Sequence, residues 1–259
     1  MITSVQNPKA QWIKDLQKNS QRRREEGVLV IEGVRLAEEA FQAGWEILLA
    51  WYVANVDDRA KQLMERLKQR GLSVEEVSLT VMKAVSDTET SQGILLVVQY
   101  PELPIKPPVN LAFLPDQIRD PGNLGTMLRT ASAAGVELVI LPPGTVDFRS
   151  PKVVRSAMGA HFSLPIRQFS WQQIEELVQA QKLMVFLADA NQGTPYFQAN
   201  FKAPLLLIVG NEAEGASLKA RALADQSVFI PMPGKAESLN AAVAAGVILF
   251  EIVRQRRII

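Results

Sequence analysis

Asn123, Arg129, Glu212, Ser238 and Asn240 are the side chains of this sequence whose types and settings suit them to a phosphate or a hydroxyl group. In DPGNLGTMLRTASAAG, residues 120–135, a Pro-Gly turn leads through Asn123 into a helical run that is small and apolar except for one arginine. With a helix starting near Asn123, the residues Leu124, Leu128, Ala131 and Gly135 form its buried stripe. Arg129 then lies on another face, one turn after Gly125, which cannot cover it. Helical side chains lean toward the N-terminus, so the guanidinium is directed at the helix end that carries Asn123 and free N–H groups. Such an end attracts anions. An exposed helix arginine following an Asx-capped turn fits the same spacing.

Two further loops have the composition of ligand sites. In LLLIVGNEAEGAS, residues 205–217, an apolar run enters Gly-Asn-Glu, with a second glycine at 215, a turn where backbone can approach a ligand closely. It is neither a P-loop nor a GxGxxG fingerprint. Glu212 suits ligand hydroxyls, and it equally suits capping of a helix that begins near Ser217. In IPMPGKAESLNAAVAAGVILFEIV, residues 230–253, the helix is apolar on nearly every side and must be buried against a sheet or another subunit. Ser238 and Asn240 flank a leucine at its start; capping accounts for one of them.

Other chemistries are thinned out by absence. There is no cysteine, so a thiol nucleophile, a disulfide framework and a Cys metal site are excluded, and the single histidine, His161, rules out a His-based metal cluster and leaves a Ser/His/Asp triad no other base. His161, in MGAHFSLPI, reads as structural. No metal is expected.

These loops need elements to hold them. YPELPIKPP, residues 100–108, has four prolines and reads as a stiff extended linker between two domains. Before it, residues 1–100 show strands at 28–33, 47–53 and 94–100 with helices at 34–43 and 57–70, a small α/β domain. After it, residues 109–259 show apolar strands at 109–114, 136–141, 183–188, 205–209 and 228–231 separated by helical stretches. That alternation predicts a parallel sheet with helices on both faces, whose ligand sits at the carboxyl ends of the strands.

The chain has 259 residues, of which 47% are hydrophobic, and a formal net charge of +1, so it is globular and does not advertise a polyanionic partner overall. A basic segment at the N-terminus, with Lys9, Lys14, Lys18, Arg22, Arg23 and Arg24, and a basic end with Arg254, Arg256 and Arg257 suit phosphate contacts or simply solvated faces. No signal-like or membrane-spanning segment is evident, so a cytoplasmic location is expected.

Taken in order and spacing, DPGNLGTMLRTASAAG, IVGNEAEG and IPMPGKAESLNAAVAAGVILFE resemble the three motifs of the SpoU family of RNA ribose 2′-O-methyltransferases, within the SPOUT superfamily. Residues 150–166 are similar to the stretch between the family's first two motifs, and the N-terminal half is similar to its substrate-binding domain, an RNA-binding ribosomal-protein fold. The resemblance implies S-adenosylmethionine as methyl donor, held in a deep trefoil knot, an exception to ordinary connection rules. It implies cofactor contacts from Gly210, Asn211, Ile230, Met232 and Leu239, and from the strand end at Ala188 and Asp189. It gives Arg129 the reacting hydroxyl, with Asn123, Glu212, Ser238 and Asn240 positioning ribose, phosphate and Arg129. It implies a homodimer through the C-terminal domain and an RNA partner, ribosomal RNA before transfer RNA. A transfer-RNA enzyme, an inactive RNA-binding or ribosome-assembly protein of this fold and a Rossmann-type nucleotide enzyme are the rival readings, the last disfavoured by the missing glycine fingerprint.

Overall fold

The computed structural model describes residues 1–190, 192–211 and 214–256. The chain forms two compact units, residues 1–101 with 147–162, and residues 102–146 with 163–259.

In the first unit the charged N-terminal run is two helices, α1 (Pro8–Lys18) and α2 (Ser20–Glu26), capped by Asn7 and Asn19. There follow β1 (Val28–Glu32), α3 (Val34–Gln42), β2 (Ile47–Tyr52), α4 (Asp58–Gln69), β3 (Val74–Glu76), α5 (Leu79–Val85) and β4 (Ile94–Gln99). The strands are ordered β1-β4-β2-β3; β4 runs antiparallel to both neighbours and only β2 and β3 are parallel. Much of the basic N-terminus is engaged: Arg23 is buried and its guanidinium meets Asp147 at 2.7 Å, Arg22 pairs with Asp15 and Glu26, and Lys9 pairs with Glu75.

Residues 147–162 complete this unit. The helix α6 (Pro121–Ala133) and the strands β5 (Leu111–Pro115) and β6 (Leu138–Leu141) precede that segment; they belong to the second unit. Within the segment, α7 (Pro151–Ser156) packs on β1, Phe148 stands edge-on to Tyr100 with centroids 5.3 Å apart, and Phe162 does the same to Trp45 at 4.7 Å. His161 is fully buried, stacked on Phe148, with its Nε2 2.8 Å from the Phe148 carbonyl.

The second unit continues with β7 (Ile166–Gln168), α8 (Trp171–Gln181), β8 (Met184–Ala188), β9 (Thr194–Pro195), β10 (Leu205–Val209), α9 (Leu218–Leu223), β11 (Gln226–Phe229) and α10 (Ala241–Arg256). Its seven strands, ordered β7-β6-β5-β10-β8-β11-β9, are parallel throughout. The central strands are continuous apolar runs because both faces are covered: Leu205, Leu206, Leu207 and Ile208 are fully buried. Each such side chain contributes roughly 1.5–3 kcal/mol over leaving it in water. One face carries Ala112, Leu114, Leu138, Ile140, Val185 and Leu187 against Trp171 and Ile174 of α8 and Ala220 of α9. The helix α10 packs on α6 and against β10. It is not buried all round: Val243 and Phe250 are 52% and 50% exposed.

Candidate functional site

The helix α6 begins two residues before the expected start. Asp120 is the N-cap, its Oδ1 accepting from the Asn123 N–H at 2.8 Å, and Pro121 opens the first turn, where its missing N–H costs nothing. Asn123 is therefore a third helical residue, and its side chain is free of the capping role. Leu124, Met127, Leu128 and Ala131 are buried, whereas Gly135 falls beyond the helix, exposed, with φ of 74°. Arg129 is exposed, and among the described residues its guanidinium has no ion pair or hydrogen bond.

A cavity of about 450 Å3 opens at the carboxyl ends of three adjacent strands, β10, β8 and β11. Ala188, Asp189 and Ala190 line it from the end of β8, Val209, Gly210 and Asn211 from β10, and Val228, Ile230 and Met232 from and beyond β11. Glu214, Gly215, Ala216 and Arg221 form another side, and Glu237, Ser238, Leu239, Ala241, Ala244 and Ile248 close it. Ala188, Gly210, Asn211, Ile230, Met232, Leu239 and Ser238 are thus brought together. Arg129, Asn123 and Asn240 are not in its lining, and Glu212 lies outside the described residues.

The loop after β10 has its shape from backbone pairing. Asn211 and Gly215 exchange two N–H···O bonds of 3.0 Å, so the chain doubles back onto Gly210. A Cβ on Gly210 would stand 2.5 Å from the Ala216 nitrogen and 2.6 Å from the Gly215 carbonyl carbon. Glycine is required there by close approach of backbone to backbone. Ser217 then caps α9, its Oγ accepting from Ala220 N–H at 3.2 Å. Capping therefore does not call on Glu212.

The segment after β11 joins the cavity to α6. Ser238 and Leu239 line the cavity, and the next residue, Asn240, caps α10, its Oδ1 accepting from Ala242 N–H and Val243 N–H at 2.9 and 3.2 Å. The other end of the same amide donates from Nδ2 to Asn123 Oδ1 at 3.1 Å.

Asp189, expected at the pocket, lines the cavity and holds Arg221 Nη1 at 2.6 Å, and Arg221 also donates to the Ala216 carbonyl. Sequence reasoning missed three charged groups, Arg221, Glu214 and Arg119. Glu214 receives a fork of bonds from Arg119 at 2.9 and 3.0 Å. These pairs join loops distant in sequence, and no local spacing encodes them. Among the described residues no group of three or more His, Asp or Glu side chains suits a metal ion, and no helix is long and apolar enough to cross a membrane.

Residues 110–250 match the model of the SpoU rRNA Methylase family, and residues 7–96 match that of the MRM3-like substrate binding domain. The chain is 32% identical to the 23S rRNA (guanosine(2553)-2′-O)-methyltransferase RlmP of Bacillus subtilis, covering 97% of this chain and 99% of that one. It is also 32% identical to the 23S rRNA (uridine(2479)-2′-O)-methyltransferase of Streptomyces viridochromogenes, covering 98% and 92%. The AdoMet-bound crystal structure of an rRNA methyltransferase from Sinorhizobium meliloti superposes with a TM-score of 0.87 at 30% identity, over 98% of this chain and 97% of that one. With three motifs in register, a parallel seven-stranded sheet and a cavity at its carboxyl edge, the chain belongs to the SpoU rRNA methylase family.

Proposed function

We propose that the protein methylates the 2′-oxygen of a ribose in RNA, ribosomal RNA before transfer RNA, with S-adenosylmethionine as donor. The observation that carries this reading is the run Ser238-Leu239-Asn240. Its first two residues line the cavity and its third is bonded to Asn123, on the same helix as the exposed Arg129. A small-molecule site and an anion-attracting helix end are thereby joined through three consecutive residues.

The cofactor fits the residues present. The cavity volume lies within the usual 300–1,000 Å3 range of small-molecule sites. Val209, Val228, Ile230 and Ile248 offer apolar walls for an adenine, while Asp189 and Ser238 offer polar groups for ribose hydroxyls and the amino acid moiety. When bound, S-adenosylmethionine supplies an electrophilic methyl group on a positively charged sulfur. Arg129 clamps the phosphate beside the target ribose and stabilises charge developing on the 2′-oxygen. A guanidinium stays protonated in proteins, so the hydroxyl proton leaves to a phosphate oxygen or water rather than to Arg129. Asn123, Ser238 and Asn240 orient the ribose, with Glu212 as a further hydroxyl acceptor.

The first unit is the RNA-binding part, a role supported by its match to a substrate binding domain. Ribosomal RNA is favoured because named relatives that span the full chain act on 23S rRNA. A homodimer is supported by Val243 and Phe250 of α10, two apolar side chains half exposed in a single chain. A knotted path of the C-terminal segment and a cytoplasmic location complete the reading.

Labelled methyl from tritiated S-adenosylmethionine is offered to unmodified large-subunit ribosomal RNA and to transfer RNA transcripts. Label in alkali-resistant dinucleotides of the ribosomal transcript is expected. Label on a base, or none on either RNA, would overturn the reading, and label on transfer RNA alone would reverse the substrate choice.

A further inference from the structure

Gln117 follows the buried Asp116 at the end of β5 and sits at φ of 53°, a left-handed conformation that a glutamine adopts rarely. Among the described residues two other non-glycine positions share that region: Lys182 at the C-cap of α8, where it is common, and Met158 after α7. Gln117 has no such helix end. Instead its carbonyl oxygen accepts the side-chain N–H of Asn211 at 3.0 Å, and Asn211 Oδ1 accepts the Glu214 N–H at 3.3 Å. One amide thus reads both loops.

Two flanking ties run between the same loops. Asp116 Oδ2 accepts the Ser217 N–H at 2.7 Å, and Arg119 forks onto both oxygens of Glu214. Positions 116, 117 and 119 are therefore fastened to 217, 211 and 214. The next residue is Asp120, which caps the helix that carries Asn123 and Arg129. The cavity-lining loop and the start of α6 are linked through three successive contacts, and the middle one holds the residue whose backbone resists its conformation.

We propose, resting on the functional reading above, that Asn211 is a positioning residue. By holding Gln117 left-handed it transmits the arrangement of the cofactor loop to the first turn of α6, so that a filled cavity sets Asn123 and Arg129 toward RNA. Strain held in place by surrounding contacts next to a ligand site is the kind that serves pre-organisation. Asn211→Asp has the same shape, keeps the acceptor for Glu214, and sets an oxygen against the Gln117 carbonyl. Residue 117 then relaxes to negative φ and redirects the chain into Asp120.

Four proteins test this: the wild type, Asn211→Asp, and Asn211→Asp combined with Gln117→Gly or with Gln117→Ala. Both second changes delete the glutamine side chain, but only glycine removes the backbone resistance to positive φ. Methyl transfer to ribosomal RNA at saturating S-adenosylmethionine gives kcat and KM, and hydrogen exchange of residues 118–124, with and without S-adenosylhomocysteine, reports the loop directly. Asn211→Asp is expected to raise KM for RNA and exchange at 118–124 at least tenfold. Gln117→Gly is expected to bring both within threefold of wild type, and Gln117→Ala is not. Rescue by neither, or equally by both, overturns the proposal, since a direct cofactor contact of Asn211 would be indifferent to residue 117. A wild type that methylates no RNA defeats the functional reading alone; the exchange arm still decides the role of Asn211.

Discussion

Asn240 donates its side-chain N–H to Asn123 Oδ1 at 3.1 Å, bonding the cap of α10 to the first turn of α6 across 117 positions of sequence. Its own Oδ1 serves the α10 cap. The two halves of the amide therefore have separable duties. Asn240→Asp keeps the cap acceptor and loses the donor, so stability is expected to hold within about 0.5 kcal/mol while RNA methylation falls at least tenfold. Asn240→Ala removes both and is expected to cost about 1 kcal/mol in addition. Urea denaturation beside the transfer assay separates the two.

Arg129 is exposed, and among the described residues no carboxylate holds it, so its removal leaves no orphaned partner. Arg129→Ala is expected to reduce methyl transfer at least a hundredfold with the melting temperature unchanged. Because Arg129 does not line the cavity, S-adenosylmethionine affinity by calorimetry is expected to stay within threefold. Loss of cofactor binding would assign Arg129 to the cavity instead.

Gly210 is fixed by backbone, not by a movable side chain. Its added Cβ would meet the Ala216 nitrogen at 2.5 Å, so the 210–216 loop must shift to admit it. Gly210→Ala is expected to cost about 1–3 kcal/mol as overpacking does and to weaken S-adenosylmethionine binding at least tenfold. Thermal shift with added cofactor checks both, since a ligand that binds only the folded state raises the midpoint by mass action.

Burial pushes the His161 imidazole down to about 4, with Arg149 nearby pushing the same way, against the bond to the Phe148 carbonyl and the charge of Asp147. The folded value lies below the unfolded one, so the unfolded chain takes up the proton first. The stabilisation is complete above about pH 6.5 and is lost as pH falls from there to about 4, in all roughly 3 kcal/mol at 1.36 kcal/mol per unit. His161→Gln cannot titrate and is expected to flatten stability against pH across that window. Denaturation midpoints at pH 4, 5, 6 and 7 check it.

The long apolar strands were legible because burial on both faces leaves an unbroken hydrophobic run; residues 205–209 were expected and are β10. Direction within the first unit was not, since apolar runs do not say whether neighbours are parallel, and β4 proves antiparallel to both of its partners. The start of α6 was legible and was misjudged: Asp followed by Pro marks a cap and first turn, and that signal places the helix at Pro121 rather than near Asn123. The helices α1 and α2 hid behind their charge, although in α1 the buried Ala10, Ile13 and Leu16 recur at helical spacing. In the cavity, loops following strand ends gave away the residues that approach by position. The ties of Asn211 to Gln117 and Arg119 to Glu214 were invisible, because they form between side chains and loops about 95 residues apart.

Residues 147–162 return to the first unit after the second has begun, bringing Phe148, α7 and His161 into its interior. A fragment cut after residue 101 would expose Tyr100, Trp45 and one flank of β1, and would strand the buried guanidinium of Arg23 without Asp147. The first unit is thus discontinuous in sequence. Grafting it whole between related proteins would require two pieces, the second only sixteen residues long and lying between the first two motifs.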